Sequence, residues 1–200
     1  STKLGSTPQK RNDMIAQAMT ALAPLNLDSH SGDVLGDAYE YLIGTFASDM
    51  GQKAGEFYTP QSVSQLLTHI VTWGQEAKKG FSAYDPAMGS GSLLLNVRHY
   101  IQDVDSIAYY GQEIKTSTYN LARMNMIIHG IAATNQHLRN ADTLDRDWPS
   151  DEVTNFDGVM MNPPYSQHWS ADKGFESDPR FSDYGVLAPK SKADYAFLLH

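Results

Sequence analysis

Cysteine is absent from this 200-residue sequence, which excludes a disulfide framework and any thiolate-held metal or cluster. The fold must then rest on its own apolar core, and a hydrophobic content of 41% is enough to build one. Long apolar runs are also missing. No stretch approaches the roughly 18 consecutive apolar residues of a membrane helix, and the opening STKLGSTPQKRND carries no signal-peptide core. A cytoplasmic protein with no membrane partner is the expectation. Positive charge is scarce: 15 Lys and Arg face 23 Asp and Glu, for a formal charge of -8. Nucleic acids are held mainly by Lys and Arg neutralising phosphates, so a DNA substrate would have to be gripped by another component. The histidines, His69, His99, His129 and His137 among them, show no H-x-x-x-H or other ligand spacing, so no metal site is expected. The G-x-S-x-G elbow of serine nucleophiles is absent as well.

What is present falls into two styles. Residues 1–13 are polar and read as frayed, 14–23 as a short helix that Pro24 ends. Val34, Leu35, Ala38, Tyr39, Leu42, Ile43 and Phe46 recur at one-turn spacing, which predicts an amphipathic helix running to about Asp49. After a polar loop over 50–55, Thr59 and Pro60 supply an N-cap and a first-turn proline. Val63, Leu66, Leu67, Ile70 and Val71 then form the predicted buried stripe of a helix that ends near Gly74. From Phe81 the pattern alternates: strand 81–85, helix 91–100, strand 106–112, helix 117–129 closed by Gly130, strands 136–140 and 156–161. Such alternation predicts an α/β fold with a parallel sheet. Segment 166–192, rich in Ser, Asp, Gly, Lys and Pro, reads as a long loop of the functional or mobile kind. The chain stops inside an apolar helical pattern, Asp194-Tyr195-Ala196-Phe197-Leu198-Leu199-His200, and is expected to be a fragment of a longer protein.

Two motifs carry chemistry. The first strand ends in Asp85-Pro86-Ala87-Met88-Gly89-Ser90-Gly91-Ser92. Ligands of parallel α/β sheets bind outside the carboxyl ends of the strands. There Gly89 and Gly91 let backbone approach a ligand, and the amides of 90–92 point from a helix start. Only two glycines of G-x-G-x-x-G are present, which favours a ligand smaller than a dinucleotide. The second strand ends at Glu113, about twenty residues on, where such folds place a ribose-binding carboxylate. The third leads to Asp142, positioned to accept from an adenine amino group, while Asp85 would face the amino-acid end of the cofactor. Singly, a glycine turn or a strand-end acid can be a plain turn or a helix cap; three successive strand ends so equipped favour a ligand.

The second motif, Asn162-Pro163-Pro164-Tyr165, follows the apolar run ending at Met161. An exocyclic amine on a base is a poor nucleophile because its lone pair is delocalised into the ring. If the Asn162 side-chain carbonyl and the Pro163 main-chain carbonyl accept its hydrogens, the nitrogen is held closer to tetrahedral with its lone pair aimed at a methyl donor. Pro163 and Pro164 stiffen the loop, and Tyr165 offers a ring for stacking a base taken out of the helix. Methyl transfer from a sulfonium needs no strong base. The alternative is a stiff turn with a core tyrosine.

In this company the chain resembles the modification (M) subunit of type I restriction-modification systems, an S-adenosylmethionine-dependent adenine-N6 DNA methyltransferase. The likeness covers about 33–200 and rests on four motifs in order: Gly55-Glu56-Phe57-Tyr58-Thr59-Pro60-Gln61, the turn at 85–92, the strand ending Gly111-Gln112-Glu113, and 162–165. The resemblance implies a Rossmann-like S-adenosylmethionine-dependent methyltransferase sheet, incomplete at about four parallel strands and preceded by helices. It implies that residues 1–55 are the last part of an N-terminal helical region and 56–200 the first part of the catalytic domain. It also implies that Glu56, Phe57, Tyr58, Thr59, Pro60 and Gln61 fold over the methionine end of the cofactor, while 90–92 and Glu113 hold the rest. The implied partners are DNA read by a specificity (S) subunit, a second M subunit, and a restriction (R) subunit that can join. Cytosine-N4 and protein-glutamine methyltransferases share the chemistry. A non-catalytic module docking a specificity subunit is the alternative of another class, against which the intact Asn162 and Tyr165 speak.

Overall fold

The computed structural model describes residues 7–24, 34–49, 58–145, 155–165 and 167–200. The loop expected over 50–55 lies outside them, as do Glu56 and Phe57. The chain forms two compact units, Ser1–Leu35 and Gly36–His200. In the first, helix α1 spans Pro8–Leu22 and begins six residues before the expected start. Thr7 explains this, because its side chain accepts from the Lys10 amide at 3.2 Å and Pro8 occupies the first turn, where its missing N–H costs nothing.

The second unit holds α2 (Val34–Asp49) from Gly36 onward, α3 (Gln61–Thr72), β1 (Ser82–Asp85), α4 (Ser92–Leu95), β2 (Ala108–Gln112), α5 (Thr116–Ile128), β3 (Gln136–Arg139), β4 (Gly158–Val159) and α6 (Ala193–Leu199). The strands form one parallel sheet in the order β3-β2-β1-β4. The chain steps outward from β1 to β3 and then returns to the other side of β1. The gap between β1 and β4 is therefore the topological switch point, the place where such sheets bind ligands. Phe81, Ala83, Leu94, Val97, Ile107, Tyr109, Ala122 and Met126 are buried in the core around the sheet. Among the described residues no helix is long and apolar enough to cross a membrane.

Several local expectations change. The helix expected over 91–100 is α4 followed by a 3-10 turn, Asn96–His99, and the strand expected over 156–161 pairs only at Gly158–Val159. Pro60, not Thr59, caps α3, its carbonyl accepting from the amides of Val63 and Ser64 at 3.0 Å. The buried face of α3 is not the predicted stripe. Leu67 and Val71 are partly buried, but Val63, Leu66 and Ile70 are exposed, and Ser64, Thr68 and Thr72 are fully enclosed. Small polar residues let the helix approach closely, and the two threonines satisfy their own hydroxyls. Thr68 donates to the Ser64 carbonyl and Thr72 to that of Thr68, both at 2.8 Å. A Cβ on Gly158 would lie 2.4 Å from Val71 Cγ1, so α3 and β4 touch where only glycine fits. α2 turns similarly: Gly36 and Ile43 are buried, with Leu35 and Leu42 about half exposed.

The segment expected as a long loop is irregular but packed. It carries two 3-10 turns, Lys173–Ser177 and Ser182–Tyr184, and a second core in which Trp169, Phe175 and Phe181 meet Leu144 and Phe197. Arg180 runs through it, 6% exposed. It forms a two-pronged pair with Asp178 at 2.8 and 2.9 Å and donates to the carbonyls of Thr143 at 2.7 Å and Asp145 at 2.8 Å. Every prong of the guanidinium has an acceptor, which is what lets a charge stay buried.

Candidate active site at the switch point

The turn after β1 is folded in on itself. The Ala87 amide donates to Asp85 Oδ1 at 2.9 Å, the Met88 amide to the Gln112 carbonyl at 3.0 Å, and the Gly91 amide to the Met88 carbonyl at 2.8 Å. Gly89 and Gly91 have φ of +56° and +80°, so glycine is required for conformation as well as for space. Gly91 is the residue from which α4 starts. Asp85 is 2% exposed. Burial, with Glu113 nearby adding to it, pushes its carboxyl up to about 7 against the opposing Ala87 hydrogen bond.

Beyond β2, burial also raises the Glu113 carboxyl, opposed by its bond to the Lys115 amide at 2.7 Å. Asn140 donates to the carbonyls of Glu113 at 2.7 Å and Ile114 at 3.1 Å, tying the β2 and β3 ends together. Asp142 is exposed and accepts from the Leu144 amide at 3.0 Å. Thr143 donates to the Pro86 carbonyl at 2.5 Å, joining the third strand's loop to the first. The loop after β4 is different: residues 162–164 are half-buried and Tyr165 is 73% exposed.

These strand ends enclose a cavity of about 580 Å³. One wall is Pro86, Ala87, Gln112, Glu113 and Lys115, a second Ala141, Asp142 and Thr143, and a third Asn162, Pro163, Pro164 and Tyr165. Gln167 and Phe197, from the segment after β4, complete it. A narrow cleft of about 10 Å³ adjoins it, lined by Tyr58, Thr59, Asp85, Gly89, Ser90, Ser92 and Asn162. Asn162 lines both spaces. Among the described residues the predicted ones are thus brought together, with three exceptions, while Glu56 and Phe57 lie outside the described residues. Gly91 serves the turn's shape, Pro60 is an exposed cap at the start of α3, and Gln61 turns to a neighbouring cavity, donating to Asn96 Oδ1 at 3.1 Å. Sequence reasoning missed Lys115, Gln167 and Phe197. Phe197 was visible only as one apolar residue in a helical pattern, and nothing local marks the other two.

Comparison with known proteins gives a consistent picture. The family model described as N-6 DNA Methylase matches residues 30–200. The type I restriction enzyme MpnII methylase subunit of Mycoplasma pneumoniae is 44% identical, over 99% of this chain and 38% of that protein. The HindI methylase subunit of Haemophilus influenzae is 33% identical, over 84% and 37%. The type I restriction-modification system methyltransferase subunit of Streptococcus thermophilus superposes with a TM-score of 0.90 at 63% identity, covering all of this chain and 42% of that one. A class I S-adenosylmethionine-dependent methyltransferase structure from Listeria monocytogenes, 15% identical with a TM-score of 0.68, shares the fold. The chain therefore spans about two fifths of the length of these methylase subunits.

Proposed function

Because the chain belongs to the N-6 DNA methylase family, we propose that this protein transfers a methyl group from S-adenosylmethionine to N6 of adenine in DNA, as the modification subunit of a type I restriction-modification complex. The observation that carries this reading is the meeting of two spaces at Ala87 and Asn162: a cleft walled by the glycine turn, and a cavity wide enough for a nucleoside and a base. The residues fit the cofactor chemically. The turn has glycines where backbone must approach a ligand, Glu113 is a buried acid for ribose hydroxyls, and Asp142 is an exposed acceptor for an adenine amine. Tyr58 and Thr59 reach the cleft at the methionine end; Glu56, Phe57, Pro60 and Gln61 belong to the same segment by family likeness.

When bound, S-adenosylmethionine supplies a methyl group on a positively charged sulfur. The chain's own residues do the rest. The Asn162 side-chain carbonyl and the Pro163 carbonyl accept the two amine hydrogens, which restrains rotation about the C–N bond and turns the nitrogen lone pair out of the ring. Pro164 keeps the loop extended, and Tyr165 stands clear of the surface where an extruded base can stack. The amine proton leaves to water after transfer, so no side chain needs to act as a strong base.

The formal charge of -8 gives little grip on phosphates. We therefore place DNA recognition in a specificity subunit, with a second modification subunit in the complex and a restriction subunit able to join, and the assembly in the cytoplasm. Residues 1–55 are read as the end of an N-terminal helical region and 56–200 as the start of the catalytic domain, with α2 reaching from the former into the compact unit of the latter. Mass spectrometry of nucleosides from DNA treated with the complex tests the reading. N6-methyldeoxyadenosine is expected, whereas N4-methyldeoxycytidine, or unmodified DNA with methylated glutamine in peptides of the same reaction, would replace the adenine assignment.

A further inference from the structure

A side chain of helix α2, Glu40, touches the glycine turn. Glu40 Oε1 accepts from Ser92 Oγ at 2.9 Å and from the side-chain amide of Asn125 in α5. The same Asn125 amide donates to the Ser90 carbonyl at 3.1 Å, and the Ser90 and Ser92 hydroxyls are bonded to each other at 2.9 Å. One carboxylate oxygen thus binds the far end of the 90–92 turn directly and the near end through Asn125. Ser90, Ser92 and Asn125 are all buried, at 1%, 3% and 0% exposure. Gly91, between the two serines, holds a left-handed conformation open to glycine, and the bonds from Glu40 and Asn125 fix the residues on either side of it.

The second oxygen, Glu40 Oε2, is buried with no hydrogen-bond partner among the described residues. Enclosing a carboxylate oxygen that way is costly. A group kept at such a cost, whose hydrogen bonds among the described residues lead to this turn, has a role beyond filling space. α2 also supports the other lip of the cleft: a Cβ on Gly44 would lie 3.3 Å from Tyr58 Oη, so the helix surface there is the bed of the Tyr58 ring.

We propose that Glu40 is a positioning residue for S-adenosylmethionine, acting through Ser92 and Asn125 to hold the 90–92 turn in the shape that presents its backbone to the cofactor. The proposal rests on the cofactor reading above. It makes cofactor affinity depend on the seating of α2, so the region that precedes the catalytic sheet contributes to the site it precedes.

The test is calorimetric titration of the full-length protein with S-adenosylmethionine. Glu40→Ala is expected to weaken binding about tenfold or more, with kcat at saturating cofactor changed less than about threefold. Glu40→Gln keeps an oxygen acceptor for both donors and is expected to restore most of the lost affinity. Thermal melting of the unliganded variants separates folding from binding. Wild-type affinity in Glu40→Ala, whatever its melting temperature, overturns the proposal, as does a Glu40→Gln protein no better than Glu40→Ala. Should Glu40→Ala not fold, Ser92→Ala cuts the same link from the other side, and an unchanged affinity there overturns it equally. A wild-type protein that binds no S-adenosylmethionine overturns the cofactor reading itself.

Discussion

The two loops that face each other across the switch point are built to opposite plans. The 85–92 turn is enclosed, with Asp85, Ser90 and Ser92 at 3% exposure or less, and it is bonded to β2, to the loop after β3, to α5 and to α2. The 162–165 loop follows a strand of two residues and is half-buried, with Tyr165 out in solvent. Its rigidity comes from two adjacent prolines. The contrast teaches that the half proposed for the cofactor is held by bonds to four neighbouring elements, whose loss would be felt in folding. The half proposed for the base is stiffened along its own backbone and left open to solvent at Tyr165, which suits a substrate brought by another subunit.

The sharpest way to break this comparison is Asn162→Ala. If the base half acts in chemistry and not in folding, methylation should fall by about 10³-fold or more, while cofactor affinity and melting temperature hold. Undiminished methylation would remove Asn162 from the reaction. Next in size is Glu113→Ala, in the cofactor half, which should weaken S-adenosylmethionine binding about tenfold in a titration; an unchanged affinity would take Glu113 off the ribose.

The third effect is a pH slope, read in stability and not in binding. The Asp85 carboxyl, raised from 3.8 to about 7 by burial, keeps its proton in the folded protein where the unfolded chain has already lost it. Its ionisation therefore opposes folding. Its contribution to stability declines as pH rises from about 4 to about 7 and is level above that. Asp85→Asn should flatten this decline in melting temperature across that window. Glu113 is shifted the same way, so some slope should persist; a slope identical to wild type would mean that Asp85 is not buried as described.

Much of the site was legible because its residues are local in sequence. A glycine turn, a strand-end acid and a proline-stiffened loop each declare themselves within eight residues, and parallel topology carries their ends to one edge. What could not be read is long-range. Nothing near Glu40 says that it meets Ser92 and Asn125, and nothing near Arg180 says that it clasps Thr143 and Asp145. The α3 face misled for a related reason. Hydrophobic periodicity marks the apolar side of a helix, yet the sheet needed the side with the smallest residues. The long segment after β4 looked like a solvated loop because its aromatics, Trp169, Phe175 and Phe181, follow no period, and they find one another only in three dimensions.

The polar face of α3 also works as a ruler. At its first end stand Tyr58 and Thr59, lining the cleft; along its length Thr68 meets Met160, with Oγ1 3.8 Å from Sδ; near its last turn Val71 sits where Gly158 has no side chain. β4 carries Asn162 only three residues beyond its end. The offset between the lip of the cleft and the amide that faces it is therefore gauged by one twelve-residue helix, about 18 Å long at 1.5 Å per residue. A single added methyl at position 158 would slide one scale against the other, shifting Asn162 against the cleft without touching any residue that lines it.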